Sequence, residues 1–359
     1  MDHLLSLVGP LITKRDTNFR KAIPAAERLM VLIRYLASGD SQMSLTYLFR
    51  MGKKTISRII SETSEAIITV LMDTYLSAPS NEAQWKKIAS DFECLWQFPH
   101  VLGAIDGKHV MIEAPSNTGS LYHNFKGFFS IVLMAICDAK YNFTLVDIGN
   151  YGSNNDSGIL LHSGIGDAFE NNALNIPGPE AVFGTEINIP YFLIGDEIFP
   201  LKEWLMIPYP GKLPEEERVY NYRHSRARRV IENAFGILRA RWRIFGRPIK
   251  ASVKNTEKIV LSAICLHNYL RQTENSLYTP YGYVDTETSS GQIKNGEWRS
   301  QVQGDGGMLP IKPMKGSRRK ISAVELRSSL KDFVNSDTGS LDWQLDYVRH
   351  TGRVEEDEE

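Results

Sequence analysis

Apolar residues first cluster from Leu4 to Ile12 and then settle into helical spacing. After Pro24, which suits a first helical turn, Leu29, Leu32, Ile33 and Leu36 recur at intervals of three and four until Gly39. Ser44 can cap a short second helix from Leu45 to Arg50, and Gly52 makes a turn. A third helix then runs from Lys53 through Ile56, Ile59 and Ile60 toward Met72. Short helix, glycine turn and a helix opening on bases suggest a helix-turn-helix, with Lys53, Lys54, Thr55 and Arg58 on the reading helix. A plain helical bundle with exposed lysines fits the same pattern.

From about residue 98 the period changes from helix to strand. Val101 to Ile112 is a strand interrupted by Asp106 and Gly107, Gly127 to Ala139 is an apolar strand, Tyr141 to Gly149 alternates, and Ile189 to Ile198 is another apolar strand. Between the last two, Asp156 opens a helical stretch carrying Ile159, Leu160, Leu161, Ile165 and Phe169. A basic helix follows at about 222–245 and another at about 256–272. Residues 275–318 are rich in Gly, Ser, Thr and Asp and read as flexible, while Val324 to Val348 is amphipathic and is expected to pack back on the core. The order strand, strand, strand, helix, strand, helix predicts an α/β fold, a mixed sheet flanked by helices. Four parts follow: helical residues 1–97, a sheet domain at 98–272, a flexible segment at 273–320, and a C-terminal helix with an acidic tail at 321–359.

Composition narrows the class. With 359 residues and 42% apolar content, the chain can bury a sizeable core. The apolar run at the N-terminus lacks basic flanks, and Phe128 to Cys137 is too short to span a bilayer, so no membrane is expected. Cys94, Cys137 and Cys265 have no paired spacing, which argues against a disulfide framework or a zinc ribbon and suits a reducing compartment. Net charge is −1, so any affinity for nucleic acid has to come from segregated charge. It is segregated: residues 218–250 hold nine arginines, one lysine and a single acid, Glu232, whereas residues 355–359 are all acidic. Guanidinium groups at that density suit phosphate, and Arg226, Arg228, Arg229, Arg239 and Arg241 are the candidate contacts.

Four acids lie at element edges: Asp106, Asp156, Asp196 and Glu232. Singly, each has a bland explanation. Asp106-Gly107 is a hairpin-turn signal, Asp156 can cap its helix, Asp196 ends a strand, and Glu232 can pair with neighbouring arginines. Together they read differently. If the first and fourth strands are neighbours and the basic helix crosses their ends, Asp106, Asp196 and Glu232 converge. Such hard oxygen ligands suit Mg²⁺ or Mn²⁺, and two ions ~4 Å apart could activate water or a 3′-hydroxyl for in-line attack on a phosphodiester.

At these residues the chain resembles the PIF/Harbinger superfamily of transposases and the nucleases derived from them. The matching stretches are Gly103 to His109 (GAIDGKH), Phe125 to Ser130 (FKGFFS), Cys137 to Ala139 (CDA) and Gly152 to Ser157 (GSNNDS). They continue with Gly195-Asp196 and Pro200-Leu201, Tyr220 to Arg229 (YNYRHSRARR), Glu232 to Leu238 (ENAFGIL) and Leu266 to Leu270 (LHNYL). Tyr47 to Arg50 and Thr55 to Arg58 are similar to that family's helix-turn-helix, so the likeness spans most of residues 20–272. It implies a ribonuclease-H-like DDE catalytic core behind an all-α helix-turn-helix region. It also implies Asp106, Asp196 and Glu232 as the catalytic, metal-binding triad, with Asp156 as an additional acid at the metal site. Lys108 and Asn155 depart from the Thr and His that many relatives carry. DNA as substrate, a Myb-like DNA-binding partner, self-association for paired end cleavage and a nuclear or nuclear-cytoplasmic location are further implications.

Smaller features carry less. His109 and His267 lie on apolar runs, where a histidine is more often core than ligand. Lys315, Arg318, Arg319 and Lys320 suit a nuclear-import signal or a solvated linker equally. The main expectation is a divalent-metal-dependent DNA endonuclease or transposase. Its rivals are a domesticated, non-catalytic DNA- or chromatin-binding protein acting through partners, and an RNA-directed nuclease.

Overall fold

A computed structural model describes residues 1–354 apart from 154–159, 161–162, 183, 289, 303–306 and 312–319, with side chains to residue 350. The N-terminal helices are α1 (Asp2–Ile12), α2 (Ala25–Ser38), α3 (Gln42–Phe49), α4 (Lys53–Tyr75) and α5 (Glu82–Trp96). Gly39 ends α2 at φ +65, a left-handed position where glycine carries no penalty. A Cβ there would also meet the Arg243 carbonyl oxygen at 2.7 Å, so the position is closed to larger residues. The cap of α3 is Ser41, whose side chain accepts from the Ser44 amide (3.1 Å), and not Ser44 as its spacing suggested. Helix α5 went unseen as an element in the sequence. Its signal was there: an Asn81 cap, then Trp85, Ala89 and Phe92 on one buried face.

The sheet is mixed, in the order β3-β2-β1-β6-β7. Strands β1 (Val101–Met111), β2 (Ser130–Cys137) and β3 (Phe143–Tyr151) form an antiparallel meander. After helix α6 (Gly164–Glu170) and a small side hairpin, β4 (Glu180–Ala181) with β5 (Asn188–Ile189), the chain returns to the sheet. There β6 (Phe192–Ile194) runs parallel beside β1, and β7 (Leu205–Met206) runs parallel beside β6. Every residue of β2 is buried, as an interior strand covered on both faces requires. Asp106-Gly107 is no turn: β1 continues through it, with Asp106 opposite Ala135 and Gly107 opposite Met134. The pairing energy of a long strand between two neighbours outweighs the local turn preference of the dipeptide.

Helix α7 (Glu215–Arg241) contacts β1, β2 and β6 and is seven residues longer at its start than the basic pattern indicated, because three acids, Glu215 to Glu217, favour its N-terminus. Helix α8 (Val253–Thr273) packs along α4 and on β3. The expected boundary at 97 is not a break in the core: Leu29 and Ile59 from the helices belong to the same buried cluster as Ile131 and Leu193 from the sheet.

The segment read as flexible is a strap. It carries α9 (Asn275–Tyr278), the hairpin β8 (Thr286–Glu287) with β9 (Ile293–Lys294), α10 (Trp298–Gln301) and β10 (Met308–Pro310), which pairs with β1. Trp298 lies on Gly236 of α7, where an added Cβ would stand 2.5 Å from the indole, and its Nε1–H donates to Asn233 Oδ1 (2.8 Å). Scattered aromatics in a polar segment show no period, so composition hid this docking. The C-terminal stretch forms two helices that pack on α7, α11 (Ile321–Asn335) and α12 (Gln344–Val354). Among the described residues no helix is long and apolar enough to cross a membrane, and the three cysteines are free.

Candidate functional site

The site begins with strand register. Ala104 of β1 pairs with Ile194, the last residue of β6, and Asp106 and Asp196 each follow that pair by two residues. The chains are still adjacent there, since a Cβ on Gly195 would lie 3.1 Å from the Ile105 side chain. Below Asp106 β1 is paired to β6, and from Lys108 to Val110 the same edge is paired to β10. Asp106 therefore lies level with the gap where one neighbour strand ends and the next begins. Ligand sites of α/β sheets favour such crevices at strand ends.

Helix α7 supplies the third acid. Glu232 sits on the helix shoulder, and Arg228, one turn earlier, pairs with its Oε1 at 2.6 Å. Asp106 is buried; its Oδ1 accepts from the Gly107 amide (2.7 Å) and its Oδ2 lies 2.6 Å from Lys108 Nζ. That Nζ stands 5.6 Å from the ring of Phe235, three residues beyond Glu232, which links the β1 acid to the α7 acid. Asp196 Oδ1 accepts from the Glu197 amide (2.7 Å). Burial by itself would lower the Arg228 guanidinium, but Glu232, Asp196 and Asp106, in that order, outweigh it and hold Arg228 above its ordinary value. One guanidinium thus feels all three carboxylates. Asp106 on β1, Asp196 just past β6 and Glu232 on α7, far apart in sequence, all act on Arg228.

Asp156 lies outside the described residues, as do Lys315, Arg318 and Arg319. Among the described residues, no group of three or more His, Cys, Asp or Glu side chains is arranged to hold a metal ion. The physical reason is visible: Asp106 is turned to Lys108 and Glu232 to Arg228, so internal bases neutralise the acids. The donor chemistry nonetheless suits a hard divalent cation, since the acids brought together offer carboxylate oxygens alone. His109, His224 and His267 are buried and held neutral. Desolvation lowers them to about 4, 4 and 3, and His224 and His267 bond the backbone carbonyls of Met206 (3.1 Å) and Tyr141 (2.9 Å).

The arginines divide. Arg226 is buried, ion-paired with Glu287 and bonded to the Trp96 carbonyl (2.9 Å). Arg241 donates through Nε to the Tyr278 carbonyl (2.9 Å), with its guanidinium 4.1 Å from the Tyr283 ring. Both hold the strap, which corrects their reading as phosphate contacts: a basic helix buried on most sides uses part of its charge internally. Arg228 serves the acids, Arg229 is buried beside a cleft, and Arg239 is half-buried two turns beyond Glu232. Lys53, Lys54 and Arg58 are exposed on the first turns of α4, behind the short α3 and the Arg50–Gly52 turn.

The DDE superfamily endonuclease family matches residues 105–268. The ALP1-like protein of Arabidopsis thaliana is 29% identical over 284 residues, covering 76% of this chain and 68% of that one. HARBI1 of Xenopus laevis, named as a nuclease, is 25% identical over 292 residues, 80% of this chain and 79% of its own. The Arabidopsis thaliana antagonist of like heterochromatin protein 1 is 27% identical over 253 residues, 70% of this chain and 63% of its own. No solved structure matches the chain. The matched region runs from within β1, just before Asp106, through Glu232 into the Leu266–Leu270 motif, and with those relatives it supports a Harbinger transposase-derived DDE endonuclease family as the one this chain is similar to.

Proposed function

We propose that this chain is a divalent-metal-dependent DNA endonuclease whose Asp106, Asp196 and Glu232 cleave phosphodiester bonds. One observation carries the reading: the carboxylates of Asp106 on β1, Asp196 just past β6 and Glu232 on α7 all act on the single guanidinium of Arg228. The meander followed by parallel strands and a crossing helix supports a ribonuclease-H-like core. Asp106, Asp196 and Glu232, with Asp156, would hold Mg²⁺ or Mn²⁺, two ions in the full reading. When bound, the metal supplies the charge that activates a water or 3′-hydroxyl and stabilises the leaving oxygen.

The chain's own groups then have defined work. Lys108 has to release Asp106, and Arg228 has to release Glu232, before those oxygens can face a metal. Both bases are left beside the scissile phosphate, where Arg228 can form paired hydrogen bonds to its oxygens. Arg239 and Arg229 extend the basic face along α7. Exposed Lys53, Lys54 and Arg58 support the helix-turn-helix reading, in which they contact flanking DNA. A nuclear location, a Myb-like partner and self-association belong to the same reading, tested by imaging, co-purification and light scattering.

Supercoiled plasmid tests the reaction. The purified chain is expected to nick it with Mg²⁺ or Mn²⁺ and not with EDTA, and excess RNA is expected to compete poorly. Tight, salt-sensitive DNA binding without nicking would replace this reading with the domesticated binder, a role the heterochromatin-related name of one relative favours.

A further inference from the structure

Arg229 is 8% exposed, yet its side chain makes no hydrogen bond or ion pair with any described residue. Most of the residue is covered, but none of its nitrogens is sealed from solvent, so the guanidinium keeps open donors and its surroundings show what they can reach. The carboxylate that feels its charge, Asp285, is already saturated. Its Oδ1 takes the Arg299 Nε–H (2.9 Å) and the Gly296 amide (2.8 Å), and its Oδ2 takes the Arg299 Nη2–H (2.5 Å). Arg229 faces instead a cleft of about 320 Å³ between α7, β9 and α12. Arg218, Asn221, Ser225 and Tyr347 share that lining, and no carboxylate does. The Asn221 amide is closed on the Tyr209 backbone (2.8 Å in each direction), and Arg218 bonds the Val348 carbonyl. Arg218 keeps further N–H groups, but the donors with no hydrogen bond of their own are the Arg229 guanidinium and the exposed Ser225 hydroxyl, one turn apart on the helix.

Place gives the cleft its meaning. Ser225, Arg229 and Glu232 fall on one stripe of α7 at spacings of four and three. At a rise of about 1.5 Å per residue, the cleft opens roughly 5–10 Å along the helix from Glu232. A phosphate held there would belong to the same strand as one positioned at the three acids.

We propose that the Arg229–Ser225 cleft is a phosphate subsite, taking the backbone phosphate next to the scissile one. This rests on the nuclease reading. The guanidinium grips the phosphate oxygens in a fork, and Ser225 donates a third hydrogen bond. The contact is to backbone, so it fixes the strand's position and carries no sequence preference.

The test uses the full chain in an Asp106→Asn background, which separates binding from cleavage. Affinity for a labelled DNA duplex is measured between low and moderate salt, with and without Arg229→Met. The added change should weaken binding equally for unrelated sequences and lower the slope of log affinity against log salt by about 0.9. Ser225→Ala should weaken binding less and leave the slope alone. Inorganic phosphate should raise the melting temperature of the wild type and not of Arg229→Met. An unchanged slope in a folded Arg229→Met variant overturns the subsite, as does a phosphate response that survives the substitution. Should Arg229→Met fail to fold, Arg229→Lys replaces it: retained slope with lost affinity supports the fork, and unchanged affinity overturns it. If the Asp106→Asn chain binds no DNA and the wild type nicks none, the nuclease reading has failed, and the subsite as a nucleic-acid contact falls with it. A wild type that nicks DNA beside an indifferent Arg229→Met sinks the subsite alone.

Discussion

Asp106 and Lys108 stand two residues apart on one face of β1, and their ion pair is nearly buried, with side chains 6% and 18% exposed. Such a pair competes with any metal for the Asp106 oxygens. Replacing the lysine with a threonine should therefore tighten Mn²⁺ binding by about tenfold, or about 1.4 kcal/mol. Titration of the Lys108→Thr variant by calorimetry checks this, and equal or weaker binding would mean that the pair does not guard the site. Residue chemistry was the most legible scale in the sequence. The lone acid in the basic block, Glu232, and the acids at the edges of the expected elements stand out in the sequence, and the family resemblance supplies their joint role. What spacing could not tell was which bases were available: Arg226 looks identical to Arg228 in the sequence, and only the fold brings Glu287, sixty-one residues on, to its side.

That partnership belongs to the strap crossing α7. Side chains of Arg226 and Glu287 are 6% and 10% exposed, so removing one leaves the other charged and uncompensated in a dry contact. Arg226→Ala should cost roughly 3–5 kcal/mol, and Glu287→Gln less, because an amide can still accept a hydrogen bond from the guanidinium. Urea denaturation distinguishes this from a phosphate role, under which Arg226→Ala would keep its stability and lose only DNA affinity. Element boundaries with caps or periodic faces were readable, as α2, α4 and α8 show. The strap was not, because Tyr278, Tyr283 and Trp298 lie in a run of Gly, Ser and Thr with no repeat for a hydrophobic face. The continuity of β1 through Asp106 and Gly107 was hidden for the opposite reason. Its turn-like dipeptide is held extended by strands distant in the sequence.

For the whole molecule, buried neutral histidines set an acid limit, with His109, His224 and His267 the most strongly shifted. Unfolded, a histidine takes its proton near pH 6.5, whereas His109, His224 and His267 resist it to about 4, 4 and 3 because of desolvation. Between those values the unfolded chain binds more protons, so stability is at its full value above about pH 6.5 and falls as the pH drops toward 4. Melting temperatures recorded from pH 7 to 4 should decline, with a shallower decline in a His224→Gln variant; a flat profile would contradict the burial. The mixed sheet, its first strand beside its fourth, and the crossing basic helix were all reachable from the order of elements. The shared core of the N-terminal helices and the sheet was not, since amphipathic faces do not declare their partners.

The central claim is that Asp106, Asp196 and Glu232 act as one site. Groups that act as a unit lose function together, and their losses do not multiply. Plasmid nicking in Mn²⁺ should therefore be measured for Asp106→Asn, Asp196→Asn, Glu232→Gln and each pair of them. A fall of roughly 10³-fold or more is expected in every single variant, with little further fall in the pairs. Near-normal nicking in any one variant, or pairs whose losses multiply, would contradict it.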